Sequence, residues 1–278
     1  MRRTGKNGEP DRRRSGRGKQ RLDQALLARG LAESRTTAQS LVLAGEVRVD
    51  GELAVKPSQM VSAETRLEVV APPRFVSRGG LKLEAALEAF DILVEDKTCA
   101  DIGASTGGFT DCLLQHGARK VYAVDVGKGI LHWKLRQDAR VVVLETTNAR
   151  YLEALPEPID VVTIDVSFIA LALLLPRASA WLTAGRDVVA LIKPQFEAGR
   201  AAVGRGGVVR DPAVHREVIQ RVMAAAETSG LGAQGVIRSP LRGPSGNIEF
   251  LLWAKKGAGA RPLADAVERA LEDETVTG

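Results

Sequence analysis

From Thr98 onward the sequence repeats one pattern: a short apolar run, a break, then a stretch with helical spacing. Runs at Cys99–Ile102, Lys120–Val126, Val141–Leu144, Ile159–Asp165 and Arg186–Ile192 read as strands with helices between them. No other feature constrains the chain as much. Such alternation folds into a mostly parallel sheet with helices on both faces, an α/β architecture. Ligands of such sheets sit at the carboxyl ends of the strands. At the first junction stands Asp101-Ile102-Gly103-Ala104-Ser105-Thr106-Gly107-Gly108-Phe109-Thr110. Its glycines permit a sharp turn and a close approach by a ligand, and the helix behind it offers unpaired N–H groups. A nucleoside cofactor is the expected guest.

Other polar residues fall at the same end of the expected sheet. Asp125 closes the second strand with Val126 beside it, Asn148 follows the third, Asp165 ends the fourth, and Lys193-Pro194 ends the fifth. An acidic residue ending the second strand commonly accepts hydrogen bonds from a ribose. Asp125 therefore fits a dinucleotide or S-adenosylmethionine equally. Two features favour S-adenosylmethionine. The glycine spacing is not the Gly-x-Gly-x-x-Gly that brings a backbone up to a pyrophosphate, and no Gly-Lys-Ser/Thr phosphate loop occurs. Ser105 and Thr106 leave room for an uncharged sugar and a sulfonium. The candidate cofactor residues are Gly103, Ala104, Ser105, Thr106, Gly107, Gly108, Phe109, Asp125, Val126, Asn148 and Asp165.

Ahead of this region lies a smaller unit. Residues 1–20 are rich in Gly, Arg and Lys with almost nothing apolar, so they are expected to form a disordered basic tail. Over 21–71 two helical stretches are followed by a hairpin signal: Arg21–Gly30, a stretch capped by Ser34 and running Arg35–Leu43, then Val47-Arg48-Val49, Asp50-Gly51 and Leu53. Residues 72–80, opening on Pro72-Pro73, read as a linker, 81–256 as the large domain, and 257–278 as a tail holding one polar amphipathic helix. Pro212 suits a first helical position, and a long helix is expected from there to Ser229. The net charge of +5 suits a polyanionic partner. Cys99 and Cys112 are expected to be buried free thiols in a reducing cytoplasm, with no metal-ligand spacing around them. No apolar run reaches membrane-spanning length, and the basic N-terminus lacks the apolar stretch of a secretory signal.

Two resemblances cover most of the chain. Arg21-Leu22-Asp23, Ser34-Arg35 and Gly45-Glu46-Val47-Arg48-Val49-Asp50-Gly51 resemble the S4-like RNA-binding domain, which implies RNA contact by Arg21, Arg35 and Arg48. Further on, Arg78-Gly79-Gly80-Leu81-Lys82-Leu83, the glycine-rich stretch, Asp165-Val166-Ser167-Phe168-Ile169, Lys193-Pro194-Gln195-Phe196-Glu197 and Gly246-Asn247-Ile248-Glu249-Phe250 occur in that order. Together with the S4-like domain they resemble the TlyA family of S-adenosylmethionine-dependent rRNA 2′-O-methyltransferases, also described as haemolysins, whose catalytic domain is FtsJ-like. The resemblance implies a Rossmann-like methyltransferase sheet behind a small α+β S4-like domain. It implies methylation of cytidine in 16S rRNA, 23S rRNA or both, acting on ribosomal subunits, while the sequence leaves monomer and homodimer open. It also implies a catalytic tetrad of Lys82, Asp165, Lys193 and Glu249.

Chemistry agrees with that tetrad. A ribose 2′-hydroxyl is a poor nucleophile and needs a proton acceptor in the transition state. A lysine serves when burial and a neighbouring cation lower its pKa. Lys193 is the expected activator and Lys82 the neighbouring cation, with Asp165 and Glu249 orienting both. The chain departs from the family pattern at Ile130, where Gln is frequent, and at Thr146, where Arg is frequent. Arg78, together with Arg200 and Arg205 in the Gly-rich stretch 199–209, is expected to hold RNA, with 242–246 doing the same from the opposite side. The competing readings are a non-catalytic RNA-binding assembly factor, a membrane-active haemolysin and a dehydrogenase.

Overall fold

A computed structural model describes residues 19–43, 45–70, 74–199 and 202–272. The chain divides into two compact units, Met1–Arg74 and Phe75–Gly278. The basic tail up to residue 18, and Arg200, lie outside the described residues.

In the first unit, α1 (Leu22–Ala28) and α2 (Arg35–Leu43) join a sheet of β2 (Val47–Val49), β3 (Glu52–Leu53) and β5 (Leu67–Val69) in the order β3-β2-β5. Leu22, Ala25 and Leu26 recur at helical spacing and meet Ala38, Val42 and Val47 in one small core. The expected cap is present, with the Thr37 amide donating to Ser34 Oγ at 3.1 Å. Asp50 (φ 53°) and Gly51 (φ 89°) both adopt the left-handed backbone of a two-residue hairpin turn. A ribbon of β1 (Gln20–Arg21) and β4 (Met60–Val61) was not expected from sequence, because two-residue strands carry no periodicity.

The second unit is built on a seven-stranded sheet. Its strands are β6 (Thr98–Ile102), β7 (Lys120–Val124), β8 (Val141–Leu144), β9 (Ile159–Ile164), β10 (Leu182–Ile192), β11 (Leu231–Arg238) and β12 (Phe250–Lys256). The order is β11-β12-β10-β9-β6-β7-β8, and β12 alone runs antiparallel to its neighbours. Successive residues of β6 and β7 alternate between two cores, as burial on both faces requires. Ala100, Ile102, Tyr122 and Val124 enter one, and Cys99, Val121 and Ala123 the other. Both cysteines are buried free thiols, as expected.

Topology fixes where a ligand can sit. The chain runs from β6 outward to β7 and β8, then returns to β9 on the other side of β6. A crevice therefore opens between the carboxyl ends of β6 and β9. Because β12 is antiparallel, with Phe250 opposite Ile192, the residue preceding it joins this same end of the sheet.

Two expected boundaries change. The linker expected over 72–80 does not extend that far, because Phe75 is buried in the second unit and the Val76 amide donates to Asp111 Oδ2 at 2.8 Å. A Cβ on Gly80 would lie 2.3 Å from the Phe75 ring, so this helix start closes directly onto the aromatic side chain. The tail expected from 257 is not separate either. Leu263 and, in the C-terminal helix Ala264–Glu272, Val267 and Ala270 complete the larger core.

Candidate active site

The glycine-rich turn links β6 to α4 (Gly108–Gln115). A Cβ on Gly103, whose φ is 83°, would lie 2.4 Å from the Asp165 carbonyl oxygen, so only glycine lets the ends of β6 and β9 come this close. Gly108 packs on the start of α3 (Gly79–Ala89), where a Cβ would reach the Gly80 nitrogen at 3.0 Å. That contact brings the first turn of α3, and with it Lys82, to the carboxyl end of the sheet.

All four tetrad residues line one cavity of about 850 Å³. Lys82 Nζ donates to Glu249 Oε2 at 2.5 Å, with the lysine side chain 10% and the glutamate 1% exposed. The carboxylate answers the question of why a cation stands at the unfavourable end of a helix dipole. Lys193, directly after β10, lies with Nζ 2.6 Å from Asp165 Oδ1 and donates to Ser167 Oγ at 3.1 Å. The Asp165–Lys193 contact is an ion pair without an aligned hydrogen bond, which leaves that carboxylate oxygen without a directed donor. Both pairs line the cavity, and Lys82–Glu249 is the more deeply buried of the two.

A second compartment of about 420 Å³ adjoins the first, and Gly103, Ser105, Asp165, Ser167 and Phe168 belong to both walls. Its floor is apolar, with Ile102, Val124, Ala149 and Leu174, and its rim carries Asp125 and Asn148. An apolar slot with a polar rim suits a nucleoside. Of the expected cofactor residues, Gly103, Ala104, Ser105, Thr106, Gly108, Phe109, Asp125, Val126, Asn148 and Asp165 line one compartment or the other. Gly107 lines neither. It begins α4 at φ 99°, and a Cβ there would strike Leu135 at 2.1 Å, so its part is packing. Ile130 also lines the second compartment. Thr146 lines neither and instead donates its amide to Gly127.

Asp125 is more engaged than the sequence suggested. Its Oδ2 accepts from the Ser105 amide at 2.8 Å and its Oδ1 from the Gly127 amide at 2.7 Å. The carboxylate thereby ties the glycine-rich turn to the loop that follows β7, and each oxygen keeps a lone pair for a sugar hydroxyl. Beneath the turn, Asp101 is fully buried and accepts from Thr110 Oγ1 at 2.7 Å and Thr163 Oγ1 at 3.1 Å. Loss of solvent pushes its carboxyl up to about 7.

Three residues of this site escaped sequence reasoning as contributors. Phe168 is 89% exposed, sits at φ 64° and meets Phe196 at 4.8 Å between ring centroids. Gln195 Oε1 is buried in the cavity wall with no hydrogen-bond donor among the described residues. Asn247, two residues before Glu249, accepts from the Val209 amide at 3.0 Å and donates to the Gly207 carbonyl at 2.9 Å. Asn247 thus stitches the 202–210 loop to the 242–247 loop, so the two stand together and not on opposite sides of the site.

The described arginines expected to hold RNA fall in both units. Arg78 is exposed at the mouth of the larger cavity, and Arg205 is exposed at the tip of the 204–208 turn. In the first unit Arg48 is exposed and donates to the Gly51 carbonyl, while Arg21 and Arg35 both pair with Asp23.

Comparison with known proteins agrees with this architecture. Residues 75–256 match the FtsJ-like methyltransferase family and residues 20–67 the S4 domain. The chain is 49% identical to the "16S/23S rRNA (cytidine-2'-O)-methyltransferase TlyA" of Mycobacterium tuberculosis, over 91% of this chain and 97% of that one. It is 43% identical to "Hemolysin A" of Brachyspira hyodysenteriae, over 83% of this chain and 98% of the other. A solved structure described as a candidate hemolysin from Streptococcus thermophilus superposes with a TM-score of 0.71 at 44% identity, covering 92% of this chain and 95% of that one.

Proposed function

Because this chain belongs to the FtsJ-like methyltransferase family and carries an S4 domain ahead of its catalytic unit, we propose that it methylates a ribose 2′-oxygen of rRNA, at cytidine in 16S rRNA, 23S rRNA or both. The observation that carries this reading is the gathering of Lys82, Asp165, Lys193 and Glu249 around one cavity beside the glycine-rich turn. A single chain supplies all four groups. Among the described residues no helix is long and apolar enough to cross a membrane. The substrate sets the compartment: the protein acts where ribosomal subunits are, in the cytoplasm.

The second compartment fits S-adenosylmethionine, with its apolar floor for the adenine and Asp125 at the rim for the ribose hydroxyls. When bound, that cofactor supplies an electrophilic methyl group on a sulfonium. Lys193, held in place by Asp165 and Ser167, meets the attacking hydroxyl and, as the neutral amine, accepts its proton to become the ammonium that pairs with Asp165. Lys82 and Glu249 form a fixed, buried dipole behind it. Phe168 offers an exposed ring face to the base of a nucleotide drawn out of its helix. Catalysis is then mainly positioning of the hydroxyl against the methyl group.

Purified protein, radiolabelled methyl donor and unmodified ribosomal subunits test the reading. The expected result is label in rRNA, mapping to 2′-O-methylcytidine and absent with Lys193→Ala. No transfer to either subunit, or transfer to a base atom, would overturn it.

A further inference from the structure

Asp23 is the most heavily engaged carboxylate among the described residues of the first unit. It stands in the first turn of α1, and its side chain is fully buried. Its Oδ1 accepts from Arg21 Nε at 3.0 Å and from the Gln24 amide at 3.0 Å. Its Oδ2 accepts from an Arg21 terminal nitrogen at 2.9 Å, Arg35 Nε at 3.1 Å and Gln39 Nε2 at 2.9 Å. These donors hold its carboxyl well below the usual carboxylate range, with Arg21 the largest influence. A buried ion pair is seldom more stabilising than apolar residues of the same volume. The arrangement is therefore better explained by what it does to the arginines than by what it does for the core.

Its effect on them is geometric. Arg21 spends one edge of its guanidinium on Asp23, and Arg35 spends only Nε. Their side chains remain 37% and 51% exposed. Among the described residues the other N–H groups of both meet no acceptor. Two cations that would repel one another are thus pinned to a common anion, with donors left over on the solvent side. A planar guanidinium fork matches a phosphate oxygen pair, and a fork already fixed loses less freedom on binding.

We propose that Asp23 is a positioning residue that makes Arg21 and Arg35 a preformed seat for an RNA phosphate. This rests on the reading of the unit as RNA-binding. The inference reverses the sign expected from charge alone. Asp23→Asn removes a negative charge from a surface that meets a polyanion, which by itself favours binding. The seat predicts the opposite.

The test uses the full chain, with ribosomal subunits as the RNA and salt as the second variable. With Asp23→Asn the KM for RNA rises about tenfold while kcat at saturating RNA stays unchanged. The slope of log affinity against log salt falls by about one. Asp23→Asn adds nothing further on an Arg21→Gln/Arg35→Gln background. Should Asp23→Asn fail to fold, Arg21→Lys/Arg35→Lys decides, since it keeps both charges and loses the fork. That pair is expected to bind as weakly as the Gln pair. Folded Asp23→Asn binding RNA as well as the parent, or the Lys pair matching it, would overturn the inference. If the Gln pair itself matches the parent, the RNA-binding reading of this unit falls instead, and methylation by the parent protein reports on catalysis separately.

Discussion

The two units use the same bond, an acidic side chain against a cation, with opposite exposure. In the first, Asp23 is fully buried and its arginines reach solvent. In the second, all four groups line one cavity, with Lys82 and Glu249 more deeply buried than Lys193 and Asp165. The first arrangement spreads its field into water, where salt screens it. The second acts at short range on whatever enters the crevice. One teaches how a chain attracts a long polyanion, the other how it holds one hydroxyl. Variants in the two units should therefore separate by salt dependence and by the kinetic constant they change.

The largest effect is expected at Lys193. Lys193→Ala should lower kcat for methyl transfer by about 10² to 10⁴, independent of salt, with RNA and cofactor affinity little changed. A change confined to KM would erase the contrast. Next, Glu249→Ala leaves Lys82 charged in a buried site. It should cost about 3 kcal/mol of stability, read by denaturant unfolding, besides activity. If Asp165→Ala costs as much, the two pairs do not differ as their exposure implies. Removing residues 1–70 should raise the KM for RNA about tenfold and flatten its salt dependence, while calorimetry finds cofactor affinity unchanged. Equal loss of both affinities in a fragment whose circular dichroism shows a fold would sink the division of labour.

The smallest effect concerns pH. The Asp101 carboxyl ionises near 3.8 in an unfolded chain and at about 7 when folded. Between those values the folded protein holds a proton that the unfolded chain has released. Its contribution is full below about pH 4 and lost as pH rises through 7. Asp101→Asn cannot ionise, so the melting temperature of the parent should fall relative to the variant over that range. Parallel melting curves would show that Asp101 does not titrate there.

Much of the catalytic unit was legible because its strands alternate with helices and most of its candidate site residues sit next to strand ends. Asp165, Lys193 and Glu249 each border a strand, so a correct strand assignment nearly places them. The extent of β10 was not legible. It begins at Leu182, and its register against β9 shifts between Leu182 and Asp187, which breaks the periodicity that marks a strand. The Asp125 latch was hidden because its partners are backbone amides, which every sequence possesses. The motifs Arg21-Leu22-Asp23 and Ser34-Arg35 imply RNA contact by their arginines but assign no role to Asp23. Its role depends on two helices packing, and a separation of 12 positions in sequence carries no sign of that.

The backbone at Phe168 has a further consequence. A left-handed φ of 64° costs a residue with a side chain about 1 kcal/mol or more, and glycine almost nothing. Phe168→Gly should therefore melt at a higher temperature than the parent while methylating more slowly. A laboratory selection for heat resistance alone would discard the ring, and durability and turnover would part company at this one position.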